Sequence, residues 1–251
     1  MAKEMIKEMI SELGLELSEF DIKSLGNYTY YIQRLNFPYL DCLNFQEKCV
    51  ELVYKNPKLS IFIGTNHPEC LTLGRGLQRK PGDNTVLIDY DPNIISKIEV
   101  PLYEIRRGGG VTFHHPGQIV IYPIVNLTFH KLNVYELMSN LFRETVVILN
   151  HEVGEYGYDY CRDLLGLWVG SSKVASIGLQ VRRFVTFHGM ALNVKSNKLI
   201  NDSLNFIHPC GLPGDRYTNL EKVNKKDVSS ESLFNAFSQK IDKALIKIKC
   251  V

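Results

Sequence analysis

Several features are scarce in this 251-residue chain, and each shortage removes a class of function. No apolar run reaches the roughly 18 residues of a membrane span, and the first residues lack the apolar core of a signal peptide, so a cytoplasmic protein with no membrane partner is expected. Six cysteines are too sparse for a disulfide framework, and none stands in a C-x-x-C pair, so neither staples nor a zinc knuckle is expected. Net charge is nearly absent: 29 basic and 27 acidic side chains leave +2, and no overall field draws the protein onto nucleic acid. No G-x-x-x-x-G-K loop followed by Ser or Thr occurs, and "GRGLQR" from Gly74 lacks the third glycine of a dinucleotide loop, which reads more simply as a β-turn with a surface arginine. Repeats, low-complexity tracts and Gly/Ser linkers are missing too, so one domain is favoured.

What is present is a chain with 45% hydrophobic residues, enough for a full core. Residues 1–24 carry three Lys against five Glu and one Asp, with Met5, Ile6, Met9, Ile10 and Leu13 at helical spacing, which predicts an acidic amphipathic helix ahead of a domain over 25–251. "NYTYYIQRL" reads as a strand, and Pro38 opens a helix with a stripe through Leu40, Leu43, Cys49, Val50 and Val53. "LSIFIGTNHPECLTLGRG", "NTVLIDY" and "KIEVPLYEI" add β-rich sequence. Asn133 caps a helix with Glu136 at its N3 position, and Val134, Leu137, Met138, Leu141, Phe142, Ile148 and Leu149 form its apolar face. "GLWVGSSKVASIGLQVRRFVTFHGMALNV" is a hairpin-rich block with Lys173 at a strand start, the stretch from Gly211 to Lys226 reads as an exposed polar loop, and a last helix runs from about Ser230 to Ile248. Strands clustered between a few helices predict an α+β fold, a mixed sheet with helices packed on it.

The chemistry gathers in a few runs. "RRGGGVTFHHPGQIVIYPI", Arg106 to Ile124, places three consecutive glycines at a strand edge, a conformational cost that points to a site where backbone N–H groups approach a ligand. His114 and His115 face opposite sides of a strand, so they do not ligate one metal; one bonds locally and the other lines a pocket. The pairs Arg106–Arg107 and Arg182–Arg183 each offer one arginine per face, as a solvated sheet does, and give little support to a nucleic-acid site. Cys210, between Pro209 and Gly211, sits where a loop can present a thiol. At a pKa near 8.5 such a thiol is only a few per cent thiolate at neutral pH, so a nucleophile there needs a cation or base beside it, and Lys173 is the candidate. Alone, a cysteine is packing and a lysine is solvated. With the glycine run and "FHGMALNV" they outline an acyl-transfer site.

These runs resemble the lipoyl(octanoyl) transferases. "RGGGVTFHHPGQIVIYPI" is similar to that family's R-G-G-x-x-T-x-H-G-P-G-Q followed by a strand, "KVASIGLQVRRFVTFHGMALNV" to its Lys segment and H-G-x-A-L-N block, and "PCG" to the segment of its acyl-accepting cysteine, over about Tyr28 to Leu220. The resemblance implies a biotin/lipoate protein ligase-like fold and transfer of an octanoyl group from octanoyl-acyl carrier protein. The acceptors it implies are lipoyl domains of 2-oxoacid dehydrogenase complexes and the glycine cleavage H protein. It implies that Cys210 becomes the thioester and that Lys173 lowers its pKa or exchanges protons with it. It also implies an acyl pocket lined by Arg107, Gly108, Gly109, Gly110, Val111, Thr112, Phe113, His114, Ser176, Ile177, Gly178, Gly189, Met190 and Ala191, with His188 adjoining. No cofactor is implied, since thioester exchange is nearly isoergic and aminolysis is downhill. His115 departs from the family's glycine. The competing readings are an ATP-dependent lipoate or biotin protein ligase, which has no use for a thiol at Cys210, a transferase moving the group between protein lysines, and a non-enzymatic binding module.

Overall fold

The computed structural model describes residues 2–75, 100–161, 165–199 and 216–246. Helix α1 (Ala2–Glu12) is followed by β1 (Asp21–Ser24), β2 (Thr29–Arg34), α2 (Tyr39–Lys55), β3 (Ser60–Thr65), β4 (Cys70–Leu73), β5 (Leu102–Glu104), β6 (Val111–His114) and β7 (Gln118–Ile124). A short α3 (Leu127–His130) and the long α4 (Val134–Glu152) lead into β8 (Tyr158–Cys161), β9 (Gly166–Val169), β10 (Ser172–Arg182) and β11 (Val185–Asn193), then α5 (Leu220–Asn224), α6 (Ser230–Lys240) and a 3-10 turn, Ile241–Leu245. The expected run "NTVLIDY" lies outside the described residues.

Eight strands form the main sheet in the order β1-β2-β3-β7-β11-β10-β9-β8, mixed because β2 and β3 run parallel and the other neighbours antiparallel. A small sheet, β5-β4-β6, lies apart from it. Strand alternation divides the main sheet's side chains between two cores. Ile32, Ile63, Val120, Tyr122 and Phe187 pack with Ile6 and Ile10 of α1 and Phe45 and Cys49 of α2. Tyr31, Phe62, Ile121, Ile177 and Met190 pack on the other side with Leu141 and Phe142 of α4 and Phe237 of α6. β7 is buried along its whole length, as a continuous apolar strand between two helical layers must be.

Helix α4 has the expected capping box, with Asn133 Oδ1 accepting from Glu136 N and Glu136 Oε2 accepting from Asn133 N. Three expectations need correction. The N-terminal helix stops at Glu12, not near residue 24. Gly14 at φ +68 lets Leu15 N reach Ile10 O and Gly14 N reach Ser11 O, a Schellman cap, and the chain then supplies edge strand β1. On α2 the buried stripe is Tyr39, Cys42, Phe45, Cys49 and Val53, while Leu40 is exposed and Leu43 half-buried. The region expected as an exposed loop before Lys226 contains α5, capped by Asn219, whose Leu220 is fully buried. Among the described residues no helix is long and apolar enough to cross a membrane.

Candidate active site

The glycine run enters β6 as a loop laid across β10. Gly108 N donates to Leu179 O at 3.1 Å, and Gly74 N donates to Gly110 O at 3.1 Å. Two glycines outside the run make that approach possible: a Cβ on Gly178 would fall on the Gly108 carbonyl oxygen, and one on Gly74 on that of Gly109. Gly74 is therefore a packing requirement of this loop, not the surface turn its sequence suggested. Gly109 itself sits at φ +78, open to glycine at no steric penalty.

Arg106 is exposed and Arg107 buried, the alternation expected of the pair. The Arg107 guanidinium clamps the loop, donating to Gly108 O at 2.9 Å, Thr72 Oγ1 at 2.9 Å and Thr112 Oγ1 at 2.6 Å, so β4, β6 and the glycines are tied by one charge. Below this clamp, Arg107, Gly109, Gly110, Val111, Thr112, His114, Ser176, Ile177, Gly178, His188, Gly189, Met190 and Ala191 line one cavity between the two sheets. Gly108 faces a neighbouring apolar groove with Val134, Tyr135 and Met138. Phe113 turns to an adjoining polar groove, which also takes His115, Asn193, Lys195, Tyr217 and Thr218 and meets the cavity at Val111, Thr112, Ser176 and Ala191.

Lys173 is completely buried. Its stem lies in a slot that exists because residue 166 is glycine, since a Cβ there would coincide with Lys173 Cε, and its Nζ lies 5.8 Å from the Trp168 ring. The residue is enclosed at the start of β10, where Thr218 N donates to its carbonyl at 3.0 Å. Burial of this kind removes the reading of Lys173 as a solvated side chain. Cys210 lies outside the described residues, as does Cys250. Of the described thiols, burial raises those of Cys42 and Cys49 far above their ordinary range and that of Cys70 to about 12, so these three are inert at neutral pH.

Both histidines bond locally, and each lines a different pocket, His114 the cavity and His115 the polar groove. His115 Nδ1 accepts from Gly117 N at 3.1 Å, and His114 Nδ1 donates to Gln118 Oε1 at 3.1 Å. That direction is assigned from the network, because Gln118 Nε2 donates to Phe113 O and Asn193 Oδ1, both at 2.9 Å. Asn193 Nδ2 continues to Thr218 O at 3.2 Å, so a chain of hydrogen bonds links His114 to the strand that carries Lys173. Tyr39 and Tyr122 complete the wall and His67 backs it: His67 Nδ1 donates to Phe37 O at 2.6 Å and Nε2 accepts from Tyr122 Oη at 2.7 Å, while Tyr39 stacks on His114 at 5.6 Å. None of Tyr39, His67, Gln118, Tyr122 and Asn193 was singled out from sequence. Gln118, Tyr122 and Asn193 carried a signal, since all three lie inside the quoted motifs.

Burial holds these imidazoles neutral. His67 and His115 are lowered to about 4, His188 to about 3 by burial and then by the Arg107 charge, and His114 falls well below its ordinary value from burial, His67 and Arg107. Among the described residues of the cavity, therefore, the imidazoles are neutral and the positive charge is that of Arg107, with the Lys173 amine in the slot beside it. Lys195 in the polar groove is engaged by Asp227 and Glu221. Among the described residues no group of His, Cys, Asp and Glu could hold a metal ion.

Residues 38–242 match the family model of the lipoyl protein ligase A/B catalytic domain. An octanoyltransferase of Desulforamulus reducens is 34% identical over 198 residues, 78% of this chain and 82% of that one. A chloroplastic octanoyltransferase of Arabidopsis thaliana is 30% identical over 220 residues, 80% of this chain and 74% of its own. Among solved structures, P. falciparum LipL1 in complex with lipoate superposes with a TM-score of 0.65 at 14% identity over 87% of this chain and 62% of that longer one. A lipoate-protein ligase A bound with ATP does so at 0.59 and 14% over 87% and 85%. At such identity these two speak for the fold alone.

Proposed function

Because this chain belongs to the lipoyl protein ligase A/B family and its relatives there are octanoyltransferases, we propose that it moves an octanoyl group from octanoyl-acyl carrier protein, through a thioester on Cys210, to a lysine of lipoyl domains. It is an acyltransferase of protein lipoylation. The observation that carries the mechanistic reading is the fully buried Lys173, held in the slot at Gly166, whose cross-strand partner Ser176 lies where the cavity meets the polar groove.

In the first half-reaction the Cys210 thiol gives its proton to Lys173 and the resulting thiolate attacks the donor's thioester carbonyl; the C–S bond to the donor breaks, the departing thiolate takes the proton from Lys173, and the acyl group stays on Cys210. In the second, the acceptor lysine's amine attacks that thioester, an amide forms, and the Cys210 sulfur leaves and regains a proton. A proton held by Lys173 would supply the charge that favours the thiolate, since burial keeps the described imidazoles of the cavity neutral. Gly108 N is engaged by Leu179 O, so the Gly109 N–H beside it is the loop's candidate donor to a tetrahedral oxyanion, and losing such a donor costs about 3 kcal/mol of barrier stabilisation. Neither half-reaction needs a nucleotide. The described cysteines are free thiols, as the reducing cytoplasm in which we place the protein would keep them.

The test is intact-protein mass spectrometry after mixing the protein with octanoyl-acyl carrier protein without ATP. One octanoyl adduct on the native protein, absent from Cys210→Ala and unable to turn over in Lys173→Ala, is expected. Modification of a lipoyl domain only when ATP and free octanoate are supplied would replace this reading with the ligase one.

A further inference from the structure

The end of the cavity away from Lys173 carries an arrangement that the transfer chemistry does not require. His188 lies at φ +58 inside a strand, an uncommon conformation for a bulky residue, and its Nδ1 is buried with no hydrogen-bond partner among the described residues. Both features lower stability, so something holds them. The β7–β11 ladder stops at the Met190–Ile121 pair and resumes at the isolated Asn126–Val185 bridge. Between them His188 comes abreast of Pro123, which has no N–H to offer. The His188 amide turns instead to α2 and donates to buried Gln46 Oε1 at 2.8 Å, while the ring stacks on Phe187 with centroids 4.8 Å apart. The backbone is thus held by Gln46 and the ring packed against Phe187.

Its place along the cavity is defined by the β10–β11 register. Ser176 pairs with Ala191 where cavity and polar groove meet, beside the residues bonded to Lys173; Leu179 pairs with His188. From Ser176 to Leu179 is three residues of strand, about 10 Å. An extended eight-carbon chain, built from bonds of about 1.5 Å in zigzag, spans about 9 Å. We propose that the His188 ring is the end wall of the acyl cavity and sets the upper limit of the transferred chain at about eight carbons. This rests on the octanoyl-transfer reading and adds to it the residue that fixes chain length. A neutral ring suits the position, since it closes an apolar cavity without placing a second charge beside Arg107.

The test compares kcat/KM for hexanoyl, octanoyl, decanoyl and dodecanoyl thioesters of acyl carrier protein between the full-length native protein and His188→Gly and His188→Asn, both of which accept a positive φ. The native protein is expected to peak at eight carbons. In the variants the decanoyl-to-octanoyl ratio should rise about tenfold, as burial of two further methylenes allows. Gln46→Leu, which releases the backbone and leaves the ring, should move the ratio in the same direction by less. A structural role alone would lower all chain lengths together; an unchanged profile in both His188 variants and in Gln46→Leu overturns the end wall and leaves octanoyl transfer standing. A native protein that accepts no acyl group from any of these thioesters overturns the transfer reading and the end wall with it.

Discussion

At the tip of the β10–β11 hairpin Arg183 and Phe184 lie at φ +52 and +64, and four residues further along the same strand His188 lies at φ +58. The tip is open, with the Phe184 side chain 68% exposed, whereas His188 is buried. Arg182 pairs with Val185, so two residues close the loop, and a two-residue turn that matches the strand twist needs positive φ at both. Turn geometry therefore accounts for Arg183 and Phe184 without any appeal to a ligand. His188 has no turn to serve; it sits beside a break in the sheet, at the cavity end, with its amide donated to another element. The same backbone conformation is a consequence of topology in one place and of a site in the other, and the surroundings tell them apart.

The interior half of that comparison breaks most severely at the glycines next to His188. A Cβ on Gly189 would fall on the Ile121 carbonyl oxygen, and one on Gly178 on that of Gly108, and backbone atoms cannot rotate aside as a side-chain end can. Gly189→Ala and Gly178→Ala are each expected to cost about 3 kcal/mol, lowering Tm by about 6–12 °C and abolishing octanoyl transfer. Gly170, at φ +55 with open space around it, is the control: Gly170→Ala should cost only about 1–2 kcal/mol, from its backbone conformation alone. Thermal unfolding of the three variants separates clash from torsion, and equal losses would deny that the cavity region is packed as described.

Acid sharpens the comparison further, because the tip holds no titrating group near pH 6. His188 is lowered to about 3, and His67 and His115 to about 4, whereas an unfolded histidine titrates near about 6.5. Between these values the unfolded chain binds protons that the folded one refuses. Stability is complete above about pH 6.5 and is lost as pH falls toward 4, by up to about 1.4 kcal/mol per pH unit for each such histidine. Urea unfolding at a series of pH values should show this slope, and His188→Asn should remove one histidine's share of it. A slope that His188→Asn leaves unchanged would mean that the imidazole is charged or solvated in the folded protein.

The parts of this architecture that could be read from the chain are those encoded within a few residues of one another. The Asn133–Glu136 capping box and the turn that puts Lys173 at the start of β10 are local, and they stand where expected. What was missed depends on partners distant in sequence. Tyr39 is buried and Leu40 exposed because Tyr103, His67 and His114 stack over the start of α2 from other elements. Gly166 looks like any strand-edge glycine until the Lys173 stem is seen to occupy its missing Cβ. In the cavity the motif residues were legible as runs, but Tyr39 in its wall and His67, which bonds Tyr122 from behind, are single residues with no motif of their own.

The smallest expected effect tests the tip, and its sign is opposite. A glycine adopts the torsion of Phe184 without the steric strain a Cβ brings, and the ring that would be lost is mostly in solvent. The backbone hydrogen bond from Leu127 N to Phe184 O at 2.9 Å survives the substitution, and Arg183 keeps its place 5.1 Å over the Tyr54 ring. Relief of the torsion, worth about 1–2 kcal/mol, exceeds the extra chain entropy that glycine brings to the unfolded state, roughly 0.5–1 kcal/mol. Phe184→Gly should therefore raise stability by a few tenths to about 1 kcal/mol, with Tm up by about 1–3 °C. Octanoyl transfer should stay at the native rate, since the tip lies beyond the His188 end of the cavity. A fall in stability would show that the Phe184 ring makes a contact its exposure conceals, and a fall in transfer at unchanged stability would make the tip, like His188, part of the site.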